Sequence, residues 1–288
     1  MPNWLTGALI ALVSVAGTLA VSQAIREPVA APSPHGVVPR MANGTPNLNG
    51  IWQAVGTAHW NLQDHQARPG PVLELGAVLA IPAGLSVVEG NEIPYQPWAA
   101  ARQKENVENW LTRDPEVKCY LPGLPRATYM PYPFQIMQTD TNDVLMAYEY
   151  ASASRVIKMG TVEPPPVDTW MGQSAGHWEG DTLVVDITGQ NDQTWFDRAG
   201  NFHSEALHVV ERFTPVGPAV LDYQVTIEDA KVFTRPWTMQ MPLYRRQDTN
   251  AQLLEFKCVE FVEEMMYGHL GKKTGDEKPF GAARLQWP

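Results

Sequence analysis

The chain is short of positive charge, of cysteine and of long apolar runs. Lys and Arg together number 21 against 31 Asp and Glu, for a net charge of −10. An acidic chain has no electrostatic footprint for nucleic acid or for an anionic lipid surface. There are two cysteines, Cys119 and Cys258, and neither has a Cys or His neighbour at zinc or c-type haem spacing. No internal repeat is visible, which sets aside solenoids and propellers. After residue 21 no segment is long and apolar enough to span a bilayer.

The exception is the N-terminus. Residues 5–21 are apolar and uncharged, and Ser22-Gln23-Ala24 places small residues where a signal peptidase reads. We read residues 1–24 as a signal peptide. The other reading is an uncleaved membrane anchor, since the run approaches the shortest spans. The expected location is periplasmic or secreted, or membrane-anchored if the segment is retained. Residues 25–45, rich in Pro, Ala and Gly, read as a flexible linker. Residues 46–288 then form one β-rich domain, with a loop and helix layer at 46–118, a β core at 119–259 and a C-terminal helix and tail at 260–288. In an oxidising compartment Cys119 and Cys258 are most simply a disulfide; the alternative is two buried free thiols.

A turn at residues 46–50 feeds a strand with Trp52 facing inward. Pro97 suits the first position of a helix running to about Leu111, with Trp98, Ala101, Trp110 and Leu111 on its buried stripe. Asp114-Pro115 ends it. Residues 120–138, punctuated by proline, suit loops and edge positions. Residues 143–159 follow as two short strands, and Pro164, Pro165 and Pro166 form a stiff crossing.

Residues 176–187 give the clearest local signal, a hairpin turning at Glu179-Gly180-Asp181. Strands are then expected at 207–213, 221–227, 232–243 and 252–258, and a helix at 260–270 with Gly271 able to cap it. The fold class is mainly β: an antiparallel meander forming a barrel, lipocalin-like in shape, or a sandwich. Alternation puts Leu207, Val209, Glu211 and Phe213 on one face and His208, Val210 and Arg212 on the other. Leu183, Val185 and Ile187 likewise oppose Thr182, Val184 and Asp186. Both faces are mixed, which fits an interior that tolerates polarity, as a ligand cavity would.

Three stretches occur together: Cys119-Tyr-Leu-Pro-Gly-Leu-Pro-Arg126, Gly176-His-Trp-Glu-Gly-Asp-Thr-Leu-Val-Val-Asp186, and 195–204 running on to His208-Val-Val-Glu-Arg212. The combination resembles a large family of exported bacterial proteins, mostly hypothetical proteins, over residues 48–270. The resemblance implies export and a β-rich fold. It supplies no mechanism.

The most polar-aromatic stretch is 191–204, a connection too elaborate for a minimal turn. A histidine held by a carboxylate can act as a general base, so His203 with Asp197 or Asp192 is the candidate catalytic set. The structural alternative is that the acids cap turns, His203 bonds to backbone and Trp195 plugs a barrel end. Ser204, adjacent to His203 on extended chain, points the other way. Gly172-x-Ser174-x-Gly176 satisfies a nucleophile-elbow pattern in letters but enters a hairpin.

The seven histidines show no helical metal-ligand spacing. A cross-strand set such as His59, His65 and His203 is not visible in spacing, and no metal or other cofactor is expected. Met239 and Met241 share a strand face as core filling. Ten tryptophans and nine tyrosines suit either a plugged core or a pocket for a flat, apolar ligand. Trp178, Trp195, His208, Tyr223 and Trp237 are the candidate ligand-binding residues.

Three functions follow: a binding protein holding a small apolar molecule in a barrel, an enzyme using residues 192–208 for acid–base chemistry, and an accessory subunit with an envelope protein partner. The first is the leading reading.

Overall fold

In the computed structural model, residues 36–70, 76–77 and 80–267 are described. The expected signal peptide, the anchor alternative and residues 25–35 of the linker lie outside them, as do residues 268–271 of the C-terminal helix and its cap. Nine strands close into a barrel: β1 (Gly50–Ala54), β2 (Phe134–Gln138), β3 (Val144–Tyr148), β4 (Ser154–Met159), β5 (Gln173–Glu179), β6 (Thr182–Thr188), β7 (His208–Gly217), β8 (Val220–Glu228) and β9 (Trp237–Arg245). Neighbours in sequence are neighbours in space, and β9 pairs with β1 to complete the ring.

One pair departs from the expected antiparallel meander. β4 and β5 run parallel, with Ile157 opposite Ser174. A parallel step requires the chain to return along the barrel, and residues 160–172, with their three prolines, make that crossing. The crossing docks where Thr169 N–H donates to Gly189 O at 2.9 Å. At its end Gly172 has φ +61, and a Cβ there would lie 2.7 Å from Thr188 O. The β5–β6 hairpin turns through Gly180 at φ +59, as its sequence signal requires.

The strand interiors obey period two. Val209, Glu211 and Phe213 of β7 and Leu221, Tyr223, Val225 and Ile227 of β8 are fully buried, while His208, Val210 and Arg212 are only half-buried. The two prolines in strands fall where a ladder hydrogen bond is not needed. Pro215 sits at a register shift between β7 and β8. On the other side of β9, β1 pairs only with residues 243–245, and Val87 O accepts from Gln240 N–H. Pro242 falls between those two contacts.

Strand direction sorts the connections. The tight turns 139–143, 180–181 and 218–219 lie at one end. The connections that leave β1, β3, β6 and β8 start at the other, which we term the capped end, and all but 149–153 are long. Four α-helices are described: α1 (Pro97–Glu108), α2 (Trp110–Arg113), α3 (Arg126–Tyr129) and α4 (Val262–Tyr267). Among them none is long and apolar enough to cross a membrane. Cys119 and Cys258 form a disulfide across 139 residues, with a Cα–Cα distance of 5.8 Å.

Several expectations are corrected. The helix from Pro97 breaks at Asn109 into α1 and α2, and α1 buries Ala99 and Asn106 instead of Trp98 and Ala101. It does so because α1 packs on the 199–200 turn: Gln103 Nε2 donates to Ala199 O at 2.5 Å and Asn106 Nδ2 to Gly200 O at 3.2 Å. Trp98 is left 56% exposed; Trp110 and Leu111 are buried as expected.

Residues 120–125 and 130–133 are loop as expected, but residues 126–129 and 134–138 are neither loop nor edge. They supply the wholly buried α3 and the central strand β2. Residues 252–258 form no strand, because β9 pairs with β1 and the closed barrel offers no edge. β9 starts at Trp237, since Asp229 holds Lys231 and Val232 in a turn before it. Part of the 25–45 linker is docked. Arg40 bridges to Pro46, and its guanidinium forks onto Asp181 at 2.8 and 2.7 Å.

Candidate functional site

The 191–204 connection folds back on itself through a bridge between Trp195 and Phe202. Asp197 is its organiser. Its buried carboxylate accepts N–H bonds from Leu62, Ala199 and Asn201 and a side-chain bond from Asn201 Nδ2 at 2.6 Å. Burial pushes its pKa up to about 6 against those donors. His203 is elsewhere. Its Nδ1 lies 2.9 Å from Ser204 O and its Nε2 2.7 Å from Thr194 Oγ1. A carbonyl can only accept, so Nδ1 carries the proton and Nε2 accepts from the threonine.

Burial lowers the His203 pKa and keeps the ring neutral. Asp192, half-buried, accepts from Gln193 Nε2 at 2.8 Å. The expected pairing of His203 with Asp197 or Asp192 is therefore not formed, and each group serves the loop's own structure. Ser204 is tied by its N–H and hydroxyl to Asp229. Ser174 faces the barrel interior from β5 and sits on no nucleophile elbow.

The five candidate ligand-binding residues do not line one chamber. Tyr223 and Trp237 face inward from β8 and β9. Trp195 belongs to the cap. Trp237 packs edge-on against Phe196 and Phe233, with centroids 5.7 and 5.5 Å away. Trp178 lies near the tight-turn end, paired with Leu183. His208 is on the outer wall, between Asp186 and Glu228 at 3.2 Å each.

The chemistry that the interior concentrates was only half visible in the sequence. Glu211 of β7 and Arg155 of β4 meet across the lumen, with Arg155 Nη1 2.6 Å from Glu211 Oε2, an ion-pair contact off the hydrogen-bond direction. Tyr223 OH donates to the other carboxylate oxygen. Ser174 Oγ lies 3.4 Å from Nη1, and the Met146 sulfur lies 3.2 Å from Nη2. Burial opposes the guanidinium's charge, but Glu211 more than restores it and the Arg155 pKa is raised. Burial likewise drives the Tyr223 hydroxyl well above its ordinary range and the Tyr148 hydroxyl to about 12.

Three side-chain atoms here have no hydrogen-bond partner: Arg155 Nε, Thr128 Oγ1, which lies beside the Tyr148 and Tyr223 hydroxyls, and Glu211 Oε2, which keeps only the ion-pair contact. A buried donor or acceptor left unpaired costs about 1–3 kcal/mol, so each calls for an explanation. Around them stand Phe134 against Tyr148 at 5.6 Å and Phe213 against Tyr223 at 4.9 Å. The signal for Glu211 was a carboxylate among Val209 and Phe213 on one strand face. That for Arg155 was its alternation with Ile157. Thr128 gave none, because its role depends on α3 entering the capped end.

Comparison with known proteins returns no match: no family model, no curated protein and no solved structure is similar to the chain. Among the described residues no group of three or more His, Cys, Asp or Glu side chains is arranged to hold a metal ion.

Proposed function

We propose that this is an exported β-barrel protein that binds a small, mainly apolar or aromatic molecule inside the barrel. One polar group of that molecule is received by Arg155, Glu211, Tyr223 and Thr128. The observation that carries the reading is the pair of orphaned atoms, Arg155 Nε and Thr128 Oγ1, beside a cross-lumen ion pair in an aromatic and methionine-lined interior. A carbonyl would satisfy the first and a hydroxyl either one. The interior is closed around the pair: Phe134, Phe213 and Tyr223 are 0% exposed. Entry therefore requires repacking, and Met146 and Met241 are the side chains best able to yield. Residues 1–24, the resemblance and the disulfide support export.

The acid–base enzyme has weaker support, because both nitrogens of His203 and the oxygens of Asp197 are already engaged. The test is binding of the probe 1-anilinonaphthalene-8-sulfonate, alongside native mass spectrometry of protein purified from its source. The wild type should bind the probe in a saturable way and carry a co-purified small molecule. The double variant Arg155→Met with Glu211→Met, which leaves no charge buried alone, should lose both. Equal binding by wild type and double variant would remove the barrel from the reading.

A further inference from the structure

The capped end holds a second polar cluster, independent of the barrel interior. Arg126 of α3 forks onto Asp114 at 2.7 and 2.8 Å, with both side chains buried. Arg198 forks onto Glu116 at 2.5 and 3.0 Å. Its guanidinium carbon lies 5.0 Å from the ring centres of both Trp60 and Trp110. Two guanidiniums are thus matched by two carboxylates.

A third carboxylate is present in surplus. Glu263 of α4 reaches Arg198 Nη2 with one oxygen at 3.2 Å, and its other oxygen is buried without a partner. Burial raises its pKa, as expected for a loosely satisfied acid. Nearby, His59 Nδ1, Arg113 Nη1 and Arg126 Nε are also buried and unpaired. α4 itself is lightly held. It packs on α2 and on the turn Glu116–Lys118, while Met265 and Met266 are 62% and 54% exposed. It begins four residues after Cys258, whose disulfide to Cys119 tethers it.

We propose that Arg198 is the centre of a carboxylate-binding site for a small organic acid with a flat apolar body, and that Glu263 occupies this site in the unliganded protein. The carboxylate would take Glu263's place on Nη2. His59 Nδ1 offers a further polar contact, and Trp60 offers aromatic surface for the body. α4 is then a displaceable plug, and the disulfide limits how far it moves.

The test uses the full chain with its disulfide intact and benzoate as the probe, with acetate and chloride at matched ionic strength. In Glu263→Ala, benzoate should raise Tm in a saturable way, at concentrations about tenfold lower than in the wild type. Acetate should act more weakly and chloride not at all. Adding Arg198→Met should abolish the effect, and adding Arg155→Met with Glu211→Met should leave it unchanged. No benzoate-specific shift in a Glu263→Ala protein with native near-ultraviolet circular dichroism would overturn the proposal. So would a shift that survives loss of Arg198, or one that vanishes with Arg155 and Glu211. Should Glu263→Ala fail to fold, the Cys119→Ser, Cys258→Ser protein frees the plug instead. It should bind benzoate several-fold more tightly than the disulfide-bonded wild type, and unchanged affinity would count against the site.

Discussion

Arg155 and Glu211 lie 2.6 Å apart although β4 and β7 are separated by two intervening strands. The pair therefore spans the lumen and ties opposite walls of the barrel. Truncating one partner should be severe, because it leaves the other charge buried and alone. We expect Arg155→Met to cost about 3–5 kcal/mol in urea unfolding, and the double change with Glu211→Met to recover most of that loss. Additive losses would show that the pair is not coupled.

Two buried groups should act on acid stability in opposite directions. Burial lowers the His59 pKa from 6.5 to about 4 and raises that of Asp197 from 3.8 to about 6. His59 makes stability fall as pH drops from 6.5 toward 4, because the unfolded chain takes up the proton first. Asp197 makes stability rise as pH drops from 6 toward 3.8, because the folded chain takes up the proton first. Each contributes up to about 1.4 kcal/mol per pH unit, with opposite sign. His59→Gln should leave a protein that gains stability relative to wild type as pH falls from 6 to 4. Asp197→Asn should show the reverse relative slope, on top of a lower baseline from its lost acceptor. Urea midpoints at half-unit intervals check both.

The disulfide closes 139 residues, for which chain entropy allows up to about 4–5 kcal/mol. Cys119→Ala and Cys258→Ala should each lower stability by a similar amount, and the double variant should lose little more. Thiol titration of the denatured, non-reduced wild type should find no free thiol on either cysteine.

His203 separates loop structure from chemistry. His203→Ala removes the partner of Thr194 Oγ1 and a bond to Ser204 O, and should cost about 1–3 kcal/mol. Probe binding in the molecules that remain folded should be unchanged. A loss of binding without loss of stability would return the site to the 191–204 connection.

Local sequence determined much of this protein. Period-two alternation in residues 207–213 and 221–227 fixed which faces turn inward, because a one-residue slip would put Val209 and Phe213 into water. Glu179-Gly180-Asp181 fixed a hairpin, since the turn needs a positive φ. The three prolines marked a crossing, and two lone cysteines, with export expected, implied their bond. These are short-range or compositional constraints that the residues carry with them.

Only the tertiary structure decided the rest. Residues 252–258 alternate like a strand but find no edge, because β9 and β1 had closed the ring. α1 turned Trp98 outward because the 199–200 turn offered acceptors to Gln103 and Asn106. His203 and Asp197, six residues apart, did not meet, since the loop's own N–H groups claimed the carboxylate first. Arg155 found Glu211, and Arg198 found Trp60, Trp110 and Glu263, from distant parts of the chain. Such partners are chosen by barrel closure and by the desolvation of charge, and neither leaves a spacing in the sequence.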